Sequence, residues 1–194
     1  MARRAAPLPP DQRRAAIIAA TIPLVRVHGA AVTTSQIALA AGLAEGTLFR
    51  VFPDKESLIK AAVEHACDPA PAEALLAALD RSLPLRELLI AAVEILQRRV
   101  EQIWQLITVL GLAVPPKPLK PPPPERGIAQ ALATLFEPYR DELRCDPLHA
   151  ARLLRTIAFA GTHPRLSENM PLTAAEIVSV LLDGIRKHDE EDEC

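Results

Sequence analysis

The chain is poor in cysteine and glycine. Its three cysteines, Cys67, Cys145 and Cys194, are far apart and follow no metal-ligand spacing, so we expect reduced thiols rather than disulfides or a metal site. Only seven of the 194 residues are glycine, and no segment shows sustained alternation of apolar and polar residues. This pattern favours helices almost throughout.

Long uninterrupted apolar runs are also missing. Arg, Glu or Pro interrupts each apolar stretch before it reaches the length needed to span a membrane. The arginines near the N-terminus are not followed by the apolar core of a signal peptide. We therefore expect a cytoplasmic protein with no membrane partner.

The sequence carries no signature of catalysis. It contains no GxSxG nucleophile motif, no HExxH metal motif and no GxxxxGK[ST] phosphate loop. The five histidines lack the close helical spacing of metal ligands. The sequence therefore predicts neither an enzyme nor a metal-dependent or cofactor-dependent protein.

The composition does provide a large apolar core and an uneven charge distribution. Hydrophobic residues make up 49% of the chain, which is ample for a buried core. Residues 1–66 carry eight basic and five acidic side chains, whereas residues 67–194 carry fourteen basic and nineteen acidic ones. A basic N-terminal part on an acidic body suits local contact with DNA.

Nineteen prolines divide the chain into predicted helices. We expect the first helix from Asp11 to His28, ended by Gly29 and bent at Pro23, because a proline inside a helix removes a hydrogen bond. Later helix starts are indicated by Asp146 before a proline and by a capping box at Thr173. The other predicted helices cover about 72–81, 84–112, 125–143, 146–160 and 172–187. Residues 114–124 contain seven prolines and should form an extended linker.

The helix start and stop signals of a helix-turn-helix occur in residues 33–58, TTSQIALAAGLAEGTLFRVFPDKESL. Thr33 and Gln36 fit a capping box that starts a helix. Gly42 suits the left-handed backbone that ends a helix and reverses the chain. A second short helix is expected over residues 44–51, before Pro53 stops it.

This segment, within a span of about residues 13–66, resembles the DNA-binding domain of the tetracycline-repressor (TetR) family. The resemblance implies a homodimeric regulator, usually a repressor, that places the second motif helix in the major groove of a palindromic operator. It also implies that a small effector bound in the C-terminal domain changes the spacing of the two DNA-binding heads. We accordingly expect an all-α protein with a helix-turn-helix domain at 1–66 and a helical ligand-binding and dimerisation domain at 67–194.

Carried over position by position, the family motif marks seven DNA-facing candidates: Thr34, Ser35, Gln36, Thr47, Phe49, Arg50 and Lys55. The hydroxyl residues among them could equally cap helices, and Phe49 could equally belong to the core. Three positions depart from the family pattern. Ala44 replaces a frequent capping Ser, Phe49 replaces a usual Tyr, and Glu45 places an acid where neutral or basic residues are frequent.

The C-terminal part offers candidates for an effector pocket and for a dimer interface. Large side chains at Trp104, Ile107, Phe136 and Phe159 are candidate pocket walls, although such residues are often plain core. We expect a small, mostly apolar effector between the helix at 84–112 and the helix that contains Phe159. A broad apolar stripe on the last helix predicts that the last two helices form a four-helix bundle with those of a second copy. The stripe consists of Ile177, Val178, Leu181, Leu182 and Ile185.

One alternative assigns the chain a different class of function. In this interpretation it is a helical interaction or adaptor protein whose proline-rich segment 114–124 binds a proline-recognising domain.

Overall fold

A computed structural model describes residues 9–112 and 127–186, and over these residues the chain is helical. The predicted all-α fold is confirmed: the described part contains no β-strand beyond one isolated bridge between Leu143 and Arg186. Two short 3₁₀ helices occupy Gly29–Ala31 and Glu137–Glu142. The α-helices are α1 Pro10–His28, α2 Thr34–Ala40, α3 Glu45–Leu48, α4 Lys55–Ala66, α5 Ala70–Ala77, α6 Leu85–Val109, α7 Ile128–Phe136, α8 Pro147–Thr162 and α9 Ala174–Ile185.

The chain divides into two compact units. The N-terminal unit comprises residues 1–68 together with 103–119, and the C-terminal unit comprises 69–102 together with 120–194. Helix α6 therefore contributes its first two thirds to one unit and its last turns to the other. The predicted linker at 114–124 lies outside the described residues.

The N-terminal unit is built on α1, which packs against α4 and α2, while α2 packs against α3. Its buried apolar core includes Ile17, Val25, Ile37, Leu48, Phe52, Leu58 and Leu106. The predicted capping box is confirmed: Gln36 N donates to Thr33 Oγ1 over 3.2 Å, and Thr33 N donates to Gln36 Oε1 over 2.9 Å. Two donors that would otherwise be unpaired at the start of α2 are thereby satisfied.

Gly29 ends α1 and fits tightly against the last turn of α6 within this unit. Its backbone is left-handed, with φ +57°. A Cβ at this position would lie 2.9 Å from both Cγ1 and the carbonyl oxygen of Val109. Both the backbone conformation and the space therefore require glycine.

Helix α1 is the one described helix that is long and apolar enough to be considered as a membrane span. Together with the following turn it covers Pro10–Ala31, with a mean hydropathy of 1.2. Its apolar face packs into the core of the N-terminal unit, where Ile17, Ile18 and Val25 are buried. The apolar character of α1 is thus that of a core helix.

The C-terminal unit buries its core among α5, the first part of α6, α7, α8 and α9. Helix α7 packs on α8 and α5, and α8 packs on α9. The fully buried side chains include Leu76, Leu88, Leu89, Leu132, Leu135, Phe136 and Leu154. Helix α8 begins as predicted, because a carboxylate oxygen of Asp146 accepts hydrogen bonds from Leu148 N and His149 N, both over 3.0 Å.

The apolar stripe of α9 is used inside the subunit, which corrects one expectation. Ile177, Val178, Leu181, Leu182 and Ile185 are all at most 5% exposed in the single chain and belong to the core of the C-terminal unit. A residue buried in its own subunit is not available to a second copy. The outward face of α9 consists instead of Ala175, Glu176, Val180, Asp183 and Gly184.

Several predicted helices are shorter in the structure. The helix expected to reach residue 112 ends at Val109, and Gly111 then adopts a left-handed backbone with φ +65°. The helix expected over 125–143 is an α-helix only over Ile128–Phe136, and it continues as a 3₁₀ helix through Pro138. Proline lacks an N–H and crowds the preceding turn, so Pro138 explains why the α-helix changes to a 3₁₀ helix at this point.

We expect Asp146→Ala to destabilise the C-terminal unit, because the substitution leaves two backbone N–H groups at the start of α8 without their acceptor. Loss of such a cap costs about 0.5–2 kcal/mol. Urea denaturation followed by circular dichroism measures the change. Asp146→Asn is the matched control, since asparagine caps helices about as well, and it should retain most of the stability. Equal loss in both variants would contradict a capping role.

Candidate nucleic-acid interface

The turn between α2 and α3 has the geometry of a helix-turn-helix. Gly42 adopts φ +67°, and the N–H of Leu43 donates to the carbonyl oxygen of Ala38 over 2.9 Å. No atom would obstruct a Cβ at Gly42 within 4 Å, so the backbone conformation alone favours glycine there. The side chain of Leu43 is half-buried against the core of the N-terminal unit, which sets the angle at which α3 leaves the turn.

Helix α3 is shorter than the predicted span of residues 44–51. It covers Glu45–Leu48, and residues 49–51 continue as turns in which Val51 N and Phe52 N both donate to Leu48 O, over 3.0 and 2.9 Å. Ala44 precedes the helix without a side-chain cap. Phe52 precedes Pro53, and a residue before proline disfavours the helical conformation. Both ends of α3 are thus weakened by local sequence.

The start of α2 is joined to the start of α3 by one side-chain hydrogen bond. The Thr34 hydroxyl donates to Glu45 Oε1. The bond gives the unusual acid at position 45 a defined partner and turns its carboxylate towards α2. Ser35 and Gln36, the other candidates on α2, are exposed, and Gln36 also completes the capping box.

The candidates on and after α3 differ in exposure. Phe49 is 50% exposed and is therefore not part of the buried core, and Arg50 beside it is also exposed. Thr47 is half-buried. Arg50 lies beyond the last residue of α3, in the turn that leads to Phe52.

Lys55 has a structural role that the sequence did not indicate. Its Nζ donates to the carbonyl oxygens of Ala30, over 2.9 Å, and Val32, over 3.2 Å. These bonds tie the first turn of α4 to the segment that follows α1. Because both acceptors are neutral, the positive charge of Lys55 is not cancelled and remains available to attract a phosphate.

Three of the seven predicted residues meet on one surface. Thr34, Phe49 and Lys55 line a narrow groove, too small to hold a water molecule, whose floor includes Leu48, Phe52 and Leu58. Ser35, Gln36, Thr47 and Arg50 do not line this groove. Asp54 does, and its carboxylate accepts from Ser57 N over 2.7 Å to cap α4.

A cation that the sequence analysis missed lies next to the groove floor. The guanidinium carbon of Arg14 lies 4.3 Å from the centre of the Phe52 ring, which is 2% exposed. This cation–π contact joins α1 to the end of the helix-turn-helix. The two residues are 38 positions apart, so no local pattern in the sequence could have identified the pair.

The C-terminal unit contains a cavity of about 380 Å³ between α6, α7 and α8. Phe159, one of the four candidate pocket walls, lines it and is 43% exposed. Phe136 is instead fully buried in the core. Trp104 and Ile107 belong to the part of α6 in the N-terminal unit and do not line this cavity.

The described residues show no arrangement that would hold a metal ion: no group of three or more His, Cys, Asp or Glu side chains converges there. Neither Cys67 nor Cys145, the two cysteines among these residues, forms a disulfide. Burial, and next the charge of Asp146, raises the pKa of the Cys145 thiol, which disfavours the reactive thiolate.

Comparison with known proteins agrees with this geometry. The family model described as bacterial regulatory proteins, tetR family, matches residues 17–62, which include α2, α3 and most of α1 and α4. No curated protein sequence matches the chain.

Solved structures of TetR-type regulators share the fold over almost the whole chain. A tetR-family transcriptional regulator from Streptomyces coelicolor is 19% identical with a TM-score of 0.55, and the match covers 89% of this chain and 78% of that one. A SmeT–triclosan complex is 20% identical with a TM-score of 0.55, covering 91% and 92%. A TetR-family transcription regulator from Marinobacter aquaeolei is 21% identical with a TM-score of 0.50, covering 92% and 97%.

The family model and the helix-turn-helix geometry refer to the same residues, and the structural similarity extends the agreement in fold to the C-terminal unit. Residues 17–62 therefore match the tetR family of bacterial regulatory proteins, and this part of the chain forms an N-terminal helix-turn-helix domain.

Proposed function

We propose that this protein is a cytoplasmic, ligand-responsive repressor that binds a palindromic operator as a homodimer and has no enzymatic activity. The observation that carries the proposal is the groove in which Thr34, Phe49 and Lys55, predicted separately from their motif positions, lie together beside α3. The match of residues 17–62 to the tetR-family model supports the DNA-binding part of the proposal. The repressor, effector and dimer parts rest on the arguments below.

In this proposal the short helix α3 and the turn after it enter the major groove. Exposed Arg50 is the side chain best suited to a base edge, because a guanidinium can donate two parallel bonds to guanine. Lys55 and the hydroxyl of Ser35 lie at helix starts, where they suit phosphate contacts that fix position rather than sequence. Phe49 lacks the hydroxyl of the usual Tyr and supplies apolar contact only.

The dimer interface in this proposal is the outward face of α9 together with that of α8. Val180 is 62% exposed on α9, and Gly184, one turn further along the helix, has no side chain, which permits close helix contact. In an isologous contact, this face of one copy would pack against the same face of the second copy.

An effector site is supported by the cavity between α6, α7 and α8. Its volume of about 380 Å³ falls in the range of small-molecule sites, roughly 300–1,000 Å³. The similar fold of the SmeT–triclosan complex shows that such a fold can hold a small molecule.

We expect Arg50→Ala to weaken binding to an operator selected from random duplexes by about 1–3 kcal/mol and to relax preference at one base pair per half-site. Arg50 is exposed, so the variant should keep its thermal stability. Fluorescence anisotropy against operator and scrambled DNA measures both affinities. Arg86→Ala, an exposed arginine in the C-terminal unit, is the control and should bind like the parent protein. Unchanged operator binding by the Arg50 variant would remove Arg50 from the interface.

We expect Lys55→Ala to weaken operator and scrambled DNA alike and to lower the slope of log affinity against log salt by about one counterion per subunit. It should also reduce the free energy of unfolding, on the order of 1–3 kcal/mol, because two carbonyl groups lose a charged donor. The control is Lys60→Ala, which removes an exposed lysine of the same helix. A loss of stability with an unchanged salt slope would show that Lys55 is structural only.

We expect Val180→Asp to convert the dimer to a monomer while leaving its helical content intact, because the new charge would be buried between two copies but is solvated in one. Sedimentation velocity distinguishes 21.0 kDa from twice that mass. Val27→Asp introduces the same charge at a valine that is 75% exposed on α1, and it should stay dimeric. A dimer in both variants would place the interface elsewhere.

A further inference from the structure

Arg14 is an exposed cation of α1 that lies beside the groove of the DNA-facing candidates. Its guanidinium carbon is 4.3 Å from the centre of the Phe52 ring. Phe52 in turn lines the groove together with Thr34, Phe49 and Lys55. Helix α1 therefore brings to this part of the surface a positive charge from outside the helix-turn-helix.

The Phe52 ring holds the guanidinium group of Arg14 in a defined place. Phe52 is 2% exposed whereas Arg14 is exposed, so the guanidinium covers the ring from the solvent side. Attraction between a cation and a ring face uses none of the N–H donors of the arginine. A side chain that is already held in one place also loses less conformational entropy when it binds a ligand. Arg14 is thus prepared to bind an anion that approaches from solvent.

The positive charge of Arg14 is not neutralised by the residues that the structure describes. Arg14 forms no ion pair with any of them. Asp11, one turn earlier on α1, is exposed and does not pair with it. Asp54 also lines the groove, but its carboxylate accepts from Ser57 N at the start of α4. The charge of Arg14 therefore remains available to attract a phosphate.

We propose that Arg14 is a further DNA-contact residue, which binds one phosphate of the operator backbone in each half-site and holds α1 against the DNA. The inference rests on the operator binding proposed above and adds to it a contact outside the helix-turn-helix. The expected contact is a charge-assisted hydrogen bond from the guanidinium to a phosphate oxygen. Since every DNA sequence carries the same phosphates, Arg14 sets the position of the protein on DNA and not its base preference.

The test uses the full-length protein and an operator selected from random duplexes. Arg14→Met keeps an unbranched apolar side chain over Phe52 and removes the charge, whereas Arg14→Lys keeps the charge. Fluorescence anisotropy at several salt concentrations measures affinity for operator and scrambled DNA. We expect Arg14→Met to weaken both about tenfold and to lower the slope of log affinity against log salt by about one counterion per subunit. Arg14→Lys should keep most of the slope.

A second set of operators locates the phosphate. Each duplex carries a neutral methylphosphonate in place of one phosphate in each half-site. At one position this replacement should weaken binding by the parent protein as strongly as Arg14→Met does, and it should not weaken the Arg14→Met variant further. Such a loss of additivity identifies a direct contact, whereas a general effect of Arg14 on the fold would add to the effect of every replacement.

Lys60→Met is the matched control, because it removes an exposed cation of the same unit from a different pocket, which Ala30 and Leu112 also line. It should leave the salt slope unchanged. An unchanged slope in Arg14→Met, equal losses of slope in Arg14→Met and Lys60→Met, or the absence of a coupled phosphate would overturn the proposal. Thermal unfolding checks the fold of each variant. Should Arg14→Met not fold, Arg14→Lys carries the test, because a lost salt slope in that variant would also overturn the contact.

The same titrations separate this proposal from the proposed function. A parent protein that binds no duplex from the random pool would overturn operator binding and, with it, the role of Arg14. Operator binding by the parent protein together with an unchanged salt slope in Arg14→Met would leave the regulator in place and overturn the phosphate contact alone.

Discussion

The close contact at Gly29 is the constraint on which the N-terminal unit depends. Only a residue without a side chain can place its Cα against Cγ1 and the carbonyl oxygen of Val109 while adopting φ +57°. The carbonyl groups of Ala30 and Val32, next in the chain, hold the ammonium of Lys55. One short segment thus fixes the end of α1, the last turn of α6 and the beginning of α4 within the same unit. These contacts therefore position the helix-turn-helix, which lies between α1 and α4 in the chain.

The helix-turn-helix itself uses few interactions. Helix α3 has a single turn, no N-terminal side-chain cap and a proline soon after its end. Its stability therefore comes from packing of Leu48 and Phe52 into the core and from the hydrogen bond between Thr34 and Glu45. Glu45 opposes phosphate electrostatically, but its carboxylate is directed towards α2 by this bond. The departure from the family pattern at position 45 is thus compensated within the motif.

Much of what the sequence predicted depends on local physics. The all-α fold, the left-handed Gly42 and the caps at Thr33, Asp146 and Thr173 follow from side chains that act within four residues of their own position. The capping bond at Thr173 is strong enough to lower the pKa of the Glu176 carboxyl. The helix-turn-helix and its resemblance to the tetR family could be recognised because the motif is contiguous. The ends of α3 and α7 were less predictable, since several weak local preferences compete there.

The amino-acid sequence by itself determined which segments are helical, where most of them begin, and which contiguous motif forms the helix-turn-helix, because these features depend on neighbours along the chain. The tertiary structure decided how each face is used. The apolar stripe of α9 is a core face rather than an interface, Lys55 is bonded to Ala30 and Val32, and Arg14 covers Phe52. The tertiary structure also gave two similar side chains different places: Phe136 is buried in the core, whereas Phe159 lines the cavity. An apolar or basic side chain has the same local pattern whichever partner it meets, and that partner comes from a distant part of the chain.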